Sequence, residues 1–203
     1  LGVKYQSANF IFSGAIFTYE YSDYQQSYTD QETMQSITVT VGDSTMSGIE
    51  GMATYNYSDT LTFTASLGFL DAEFADNTSD GSPFQYGGNK FRLAPEVSGA
   101  ININKVVHFD NWTMDVNWLT SFQSEVFFES SNYPGMSQDT YSLTDFSLKL
   151  NRESSEFAYE FYVNNLFDKE FLIDAGNTGG RIGIPTFVRG MPRIAGVRLY
   201  YAF

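Results

Sequence analysis

The chain has 203 residues and a mass of 22.8 kDa, and it is as aromatic as it is charged, 17% in each class, where soluble domains usually carry ~25% charged residues. Eleven Lys and Arg against 24 Asp and Glu give 11 − 24 = −13, which argues against a phosphate-tracking surface and so against nucleic acid as a partner. The absence of cysteine removes disulfides, thiolate metal sites and a cysteine nucleophile, and no apolar run approaches the ~18 residues of a membrane helix, although a mean hydropathy of −0.23 is compatible with the alternating strands of a β-barrel.

Nine strands are expected, at 1–6, 8–24, 34–57, 59–75, 91–106, 109–129, 138–150, 155–166 and 190–203. In the second, Ile11, Ala15, Phe17, Tyr19 and Tyr21 line one side; the third is the least regular, with a break expected around Gly42–Asp43. The fourth holds the cleanest alternation, TLTFTASLGF at 60–69, with Leu61, Phe63, Ala65, Leu67 and Phe69 opposite Thr60, Thr62, Thr64, Ser66 and Gly68. Phe91, Leu93, Val97, Ile101 and Ile103 oppose Arg92, Glu96, Ser98, Asn102 and Asn104 in the fifth. The sixth, WTMDVNWLTSFQSEVFF at 112–128, sets Trp112, Met114, Val116, Trp118, Phe122, Val126 and Phe128 against Asp115, Asn117, Ser121, Gln123 and Glu125. It exceeds the ~5–6 residues common in globular sheets. Phe146, Leu148 and Leu150 line one side of the seventh, and Phe157, Tyr159, Phe161 and Val163 oppose Glu156, Glu160 and Asn164 in the eighth.

The connections are short at Ser7–Ala8, Ser58, His108 and Asn151–Ser154 and long at 25–33, 76–90, 130–137 and 167–189. Strict alternation of short and long is what a membrane barrel has, with tight periplasmic turns and long outer loops. A soluble β-sandwich, its apolar stripes facing a second sheet, is the alternative. In RIAGVRLYYAF, Val197, Leu199, Tyr201 and Phe203 recur at every second position to the last residue. With Leu199, Tyr201 and Phe203 towards lipid and Arg198, Tyr200 and Ala202 towards the lumen, this segment reads as a closing strand that leaves no free edge in hydrocarbon.

Catalytic chemistry is not expected. His108, the one histidine, sits beside Asp110 in a short polar turn without a second His or Cys ligand and reads as a solvated turn residue. GNTGGRIG at 176–183 lacks the Gly-Lys-Ser/Thr ending of a phosphate loop, and DNTSDG at 76–81 spaces Asp76, Asp80 and Gly81 like a calcium loop but has Gly87 at the twelfth position. No Gly-x-Ser-x-Gly elbow occurs. Candidate ligand contacts are the lumen-side row Asp115, Asn117, Gln123 and Glu125, and Arg181 and Arg189 in the last long loop, which could meet an anionic ligand.

The segment NNLFDKEFLIDAGNTGGRIGIPTFVRGMPRIAGVRLYYAF, 164–203, resembles the C-terminal end of a TonB-dependent outer-membrane receptor, carrying the elements Asn165–Leu166–Phe167–Asp168–Lys169–Glu170–Phe171 and Pro192 to Phe203 with Gly196 and Val197. SGIEGMATYNYSDTLTFTASLGFLDAEF, 47–74, and NKFRLAPEVSGAININ, 89–104, resemble inner segments of the same barrels. The resemblance implies an all-β antiparallel transmembrane barrel of which residues 1–203 are the C-terminal ~9 of ~22 strands, with the plug domain and N-terminal strands missing. It also implies residence in the outer membrane and energised import of a scarce ligand such as an iron–siderophore complex, a corrinoid or an oligosaccharide. No cofactor is implied. The implied partners are membrane lipid, the imported ligand, the TonB energising complex through the missing part, and the barrel-assembly machinery through Gly196, Val197, Leu199, Tyr201 and Phe203. A small complete barrel acting as a passive pore or adhesin is the alternative.

Overall fold

Strands that alternate apolar and polar side chains over a dozen residues need partners along their backbone, and here they find them in neighbouring strands of the chain. The computed structural model describes residues 1–29, 35–75, 86–176 and 185–202, and every regular element among them is a β-strand. β1 (Gly2–Gln6), β2 (Phe10–Thr29), β3 (Ser36–Ser58), β4 (Leu61–Phe74), β5 (Val97–Phe109), β6 (Trp112–Gln123), β9 (Tyr141–Arg152), β10 (Phe157–Asn164) and β13 (Ile194–Tyr201) form one nine-stranded sheet in that order. All eight pairings are antiparallel. The sheet is open, with β1 and β13 at its edges. Two ribbons lie outside it, β7 (Val126–Phe127) with β8 (Ser137–Gln138), and β11 (Leu172–Gly176) with β12 (Thr186–Arg189).

Short turns close one end of the sheet. Asp110 (φ 47°) and Ser154 (φ 63°) take the left-handed conformation that tight hairpins demand. The other end carries the long connections, and there β2 and β3 run 20 and 23 residues. They pair from Phe10↔Tyr55 to Thr29↔Ser36, so much of the expected loop 25–33 is strand. The irregularity expected near Gly42–Asp43 is a bulge: the register shifts on both sides of Tyr24↔Gly42, with Asp23 at φ 56° and Gly42 at φ 123°.

Three expectations are corrected. The fifth strand begins at Val97, because Leu93 sits at φ 56° and Pro95 has no amide hydrogen for a ladder. The sixth ends at Gln123, where the Ser124 amide donates to the Val97 carbonyl (2.8 Å) and the Val97 amide to Ser124 Oγ (3.1 Å). Val126 and Phe128 then leave the sheet and bury with Ala175 against Leu172; they do not face lipid with Phe122. A two-residue period marks a ribbon as well as a barrel strand. The last strand, expected over 190–203, is regular over Ile194–Tyr201.

The buried apolar side chains among the described residues are Val41, Ala72, Phe74, Val126, Phe128 and Ala175, all at the long-loop end. Along the wall the apolar face stays open: Ile16, Ile49, Ile101 and Val197 are each more than half exposed. No second layer covers it among the described residues, which removes the sandwich.

Candidate functional site

Cross-strand partners share a face, so the register sorts the wall into two sides. Ile49↔Phe69↔Val97 and Tyr55↔Phe63↔Ile103↔Trp118↔Phe146↔Val163 run across one. Thr62↔Asn104↔Asn117↔Ser147↔Tyr162 run across the other. On β2 the apolar side is Phe10, Phe12 and Ile16, which oppose Tyr55, Ala53 and Ile49. Ile11, Ala15, Phe17, Tyr19 and Tyr21 oppose Thr54, Glu50, Gly48, Met46 and Ser44 and so lie on the polar side, the reverse of the side their hydrophobicity suggests. Both faces of β2 are apolar, and only pairing decides between them.

The apolar band has visible limits. From Ile49 to Tyr57 there are eight residue steps, about 27 Å along the strand and about 20 Å along the normal at a tilt of ~40°, close to the ~25 Å band of outer-membrane barrels. One rung beyond Ile49 the same face carries Thr18↔Ser47↔Asp71, then Glu20↔Thr45↔Glu73. Water begins there. At the short-turn end the band finishes in rings: Tyr5 with Phe10 (6.2 Å), Tyr55 with Tyr57 (6.4 Å) and Phe157 with Tyr201 (4.9 Å), an interfacial aromatic girdle.

The polar side is bonded to itself. Asn102 and Asn117 exchange amide hydrogen bonds (3.2 and 3.4 Å), and Asn104 Nδ2 donates to Asp115 Oδ1 (3.1 Å). His108 Nδ1 shares a proton with Thr113 Oγ1 (3.1 Å). Further round, Glu160 accepts from Arg198 (3.1 Å) and from the Tyr200 hydroxyl, with Arg198 4.1 Å over the Tyr162 ring and Lys149 4.6 Å over the Tyr200 ring. These pairs hold β13 to β10 through side chains as well as backbone.

At the long-loop end the polar side becomes aromatic. Phe17, Tyr19, Tyr21 and Tyr24 follow one another at centroid distances of 5.6, 6.5 and 6.4 Å, and Tyr24 meets Phe74 (5.5 Å) and Phe91 (5.6 Å). Phe74 also touches Phe91 (4.8 Å) and Tyr86 (5.6 Å). Burial, and then the Glu129 carboxylate, push the Tyr86 phenol above its usual pKa, so it remains a neutral donor.

Around this file the outer connections are tied together. Asn132 Oδ1 accepts from the Lys90 amide (2.7 Å) and its Nδ2 donates to the Lys90 carbonyl (3.0 Å); Asn89 Nδ2 donates to the Ser130 carbonyl (2.9 Å). The Leu172 amide donates to Gln138 Oε1 (2.6 Å). Asn165, 5% exposed at φ 51°, donates from Nδ2 to the Lys169 (2.9 Å) and Met191 (3.1 Å) carbonyls and accepts the Lys169 amide (2.8 Å). The Arg193 amide donates to Asp168 Oδ1 (2.9 Å). Thus the Asn-Leu-x-Asp-Lys element is a knot that fixes where β13 enters the wall.

Of the residues singled out from sequence, Asp115, Asn117 and Gln123 lie on the polar side of β6. Glu125 is exposed past the end of that strand, outside the sheet. Arg189 lies on β12, 3.8 Å from Glu170, and both are exposed. Val197, Leu199 and Tyr201 oppose Phe161, Tyr159 and Phe157 on the apolar side, and Gly196 lies on the polar side beneath Tyr162. Arg181, Phe203, the segment DNTSDG and most of GNTGGRIG lie outside the described residues. Sequence reasoning missed Tyr24, Phe74, Tyr86 and Phe91; the signal was there in a β2 whose two faces are both apolar.

A family model described as "TonB dependent receptor-like, beta-barrel" matches residues 1–166. The ferric yersiniabactin uptake receptor FyuA from Yersinia pestis superposes over 100% of this chain and 29% of its own length, with a TM-score of 0.84 at 19% identity. The ferric preacinetobactin receptor BauA from Acinetobacter baumannii matches over 98% of this chain and 28% of its own (TM-score 0.73, 16% identity), and the copper transporter OprC over 100% and 31% (TM-score 0.73, 14% identity). The chain therefore spans about 29% of the length of FyuA. No curated protein matches it by sequence.

Proposed function

Because the chain belongs to the TonB-dependent receptor β-barrel family and so resides in the outer membrane, we propose that it is the C-terminal part of the barrel of a receptor that imports a scarce metal complex, energised through TonB. The observation that carries this reading is the aromatic file on the polar side at the outer mouth, from Phe17 to Tyr24 and on to Phe74 and Phe91. In a passive pore a polar, water-filled lining would suffice; a stack of rings at the entrance binds a ligand through flat apolar and cation–π contacts.

The ligand path runs from these rings down the wall past Gln123, Asn117 and Asp115, with Arg189 and, by sequence, Arg181 in the last outer loop able to meet an anionic edge of the complex. FyuA and BauA are receptors for ferric complexes and OprC carries copper, which supports a metal complex over an oligosaccharide. The plug and the TonB-contacting segment belong to the rest of the parent chain, and β13 is the segment offered to the assembly machinery. None of this is catalysis.

The test is radioiron uptake by cells producing the full-length receptor, with iron supplied as ferric citrate, a hydroxamate complex or a catecholate complex. Uptake of one of these, abolished by an uncoupler and reduced by Tyr24→Ala, supports the reading. Uptake insensitive to the uncoupler points to the passive pore and overturns it.

A further inference from the structure

On the apolar side of the wall the strands themselves sort their charges by sign. Among the described strand positions on that side, Glu20, Asp71 and Glu73 stand at the outer end, in the rungs beyond Ile16, Ile49 and Phe69. Lys90, which bridges to Glu73 at that end, forms an ion pair with Glu96, whereas the cations within the strands stand at the periplasmic end. Lys105 opposes Leu61 and Val116, and Arg152 opposes Trp112, which itself opposes Phe109.

Neither cation reaches into hydrocarbon. The Lys105 ammonium donates to Oγ1 of Thr60 (2.8 Å), in the turn before β4, and the Arg152 guanidinium lies 5.8 Å over the Trp112 ring. Both side chains thus lay their stems on the apolar wall and hold their charge at head-group level. A chain with 24 carboxylates has ample means to neutralise them. Yet among the described residues the ion pairs use Lys90, Arg189, Arg193 and Arg198, and neither Lys105 nor Arg152 has a carboxylate within 4.0 Å. The acids of the adjoining turns, Asp59, Asp110, Glu153 and Glu156, lie past the strand ends.

We propose that this face is a binding site for anionic phospholipid of the periplasmic leaflet, with Lys105 and Arg152 contacting head-group phosphates and Trp112 seating the interfacial carbonyl region. The missing counter-anion is then supplied by the membrane. Charge complementarity selects the lipid: a head group with net negative charge gains from both cations, whereas the ammonium of a zwitterionic one opposes them.

Native mass spectrometry of the full-length receptor in detergent, incubated with phosphatidylglycerol or phosphatidylethanolamine, tests the site. Lys105→Gln and Arg152→Gln should each lower phosphatidylglycerol retention about fivefold and leave phosphatidylethanolamine unchanged. Lys149→Gln removes the same charge from the opposite face of the wall and should leave both unchanged. Equal retention in all variants overturns the proposal. So does an equal loss with Lys149→Gln, which would make the effect one of net charge. Lys105→Arg and Arg152→Lys, which keep charge and stem, must retain the lipid; their failure to do so overturns it too.

Discussion

The Tyr162 ring lies across Gly196, its hydroxyl oxygen 2.5 Å from where a β-carbon at 196 would stand, and Arg198 holds the same ring from 4.1 Å. An aromatic laid over a cross-strand glycine fills the gap that glycine leaves in a sheet. Gly196→Ala should therefore destabilise the β10–β13 pair by about 1–3 kcal/mol, measured as a lower unfolding temperature of the folded band in heat-modifiability gels. Adding Tyr162→Ala should recover part of that loss, since the clash is with a side chain; strictly additive losses would show that the ring is not the obstacle.

The register places Ile16 towards lipid and Ile11 towards the lumen. Ile16→Arg should lower folded-barrel stability by about 1–4 kcal/mol, depending on its depth, whereas Ile11→Arg should cost under about 1 kcal/mol. Urea titration of the receptor refolded into vesicles reads both. The reverse ranking would restore the facing that hydrophobicity alone suggests.

Asn165 serves three backbone groups from one buried amide and does so at φ 51°. Asn165→Ala orphans those groups and gives up the tolerance of a left-handed backbone that asparagine has over alanine, for a loss of about 2–4 kcal/mol. Asn165→Gly relieves only the backbone and should recover less than half of it. Limited trypsin digestion reports the effect locally, because cleavage after Lys169 and Arg193 should accelerate once the knot loosens.

Tyr24 is the ring shared by the β2 file and the Phe74–Phe91 pair. Tyr24→Ala should weaken ligand capture about tenfold, a loss of ~1.4 kcal/mol, seen as a raised half-saturation concentration with unchanged maximal uptake. Tyr24→Phe should stay near wild type. Loss in maximal uptake alone would assign the ring to a step after capture.

The nine wall strands were legible because a period of two over a dozen residues has few other meanings, and the alternation of short and long connections follows from it. The facing of β2 was not legible, since Ile11, Phe17, Tyr19 and Tyr21 are as apolar as Phe10, Phe12 and Ile16, and pairing with Glu50 or Ile49 settles it. Val126 and Phe128 carried the strand period into a ribbon for the same reason. The polar row was legible as far as Gln123; Glu125 fell off it because Ser124 closes the β5–β6 ladder. The aromatic mouth joins Tyr24 to Phe91 across 67 positions of sequence (91 − 24 = 67), and no local pattern announces such a meeting.

Asn132 and Asn89 bind the outer connections of β4–β5 and β6–β9 to each other, and Gln138 binds that of β6–β9 to that of β10–β13, so the rim is a collar with its clasp in the middle connection. Transplanting the middle one, between β6 and β9, would sever bonds to both of the others, and transplanting either of those would sever its bonds to the middle one.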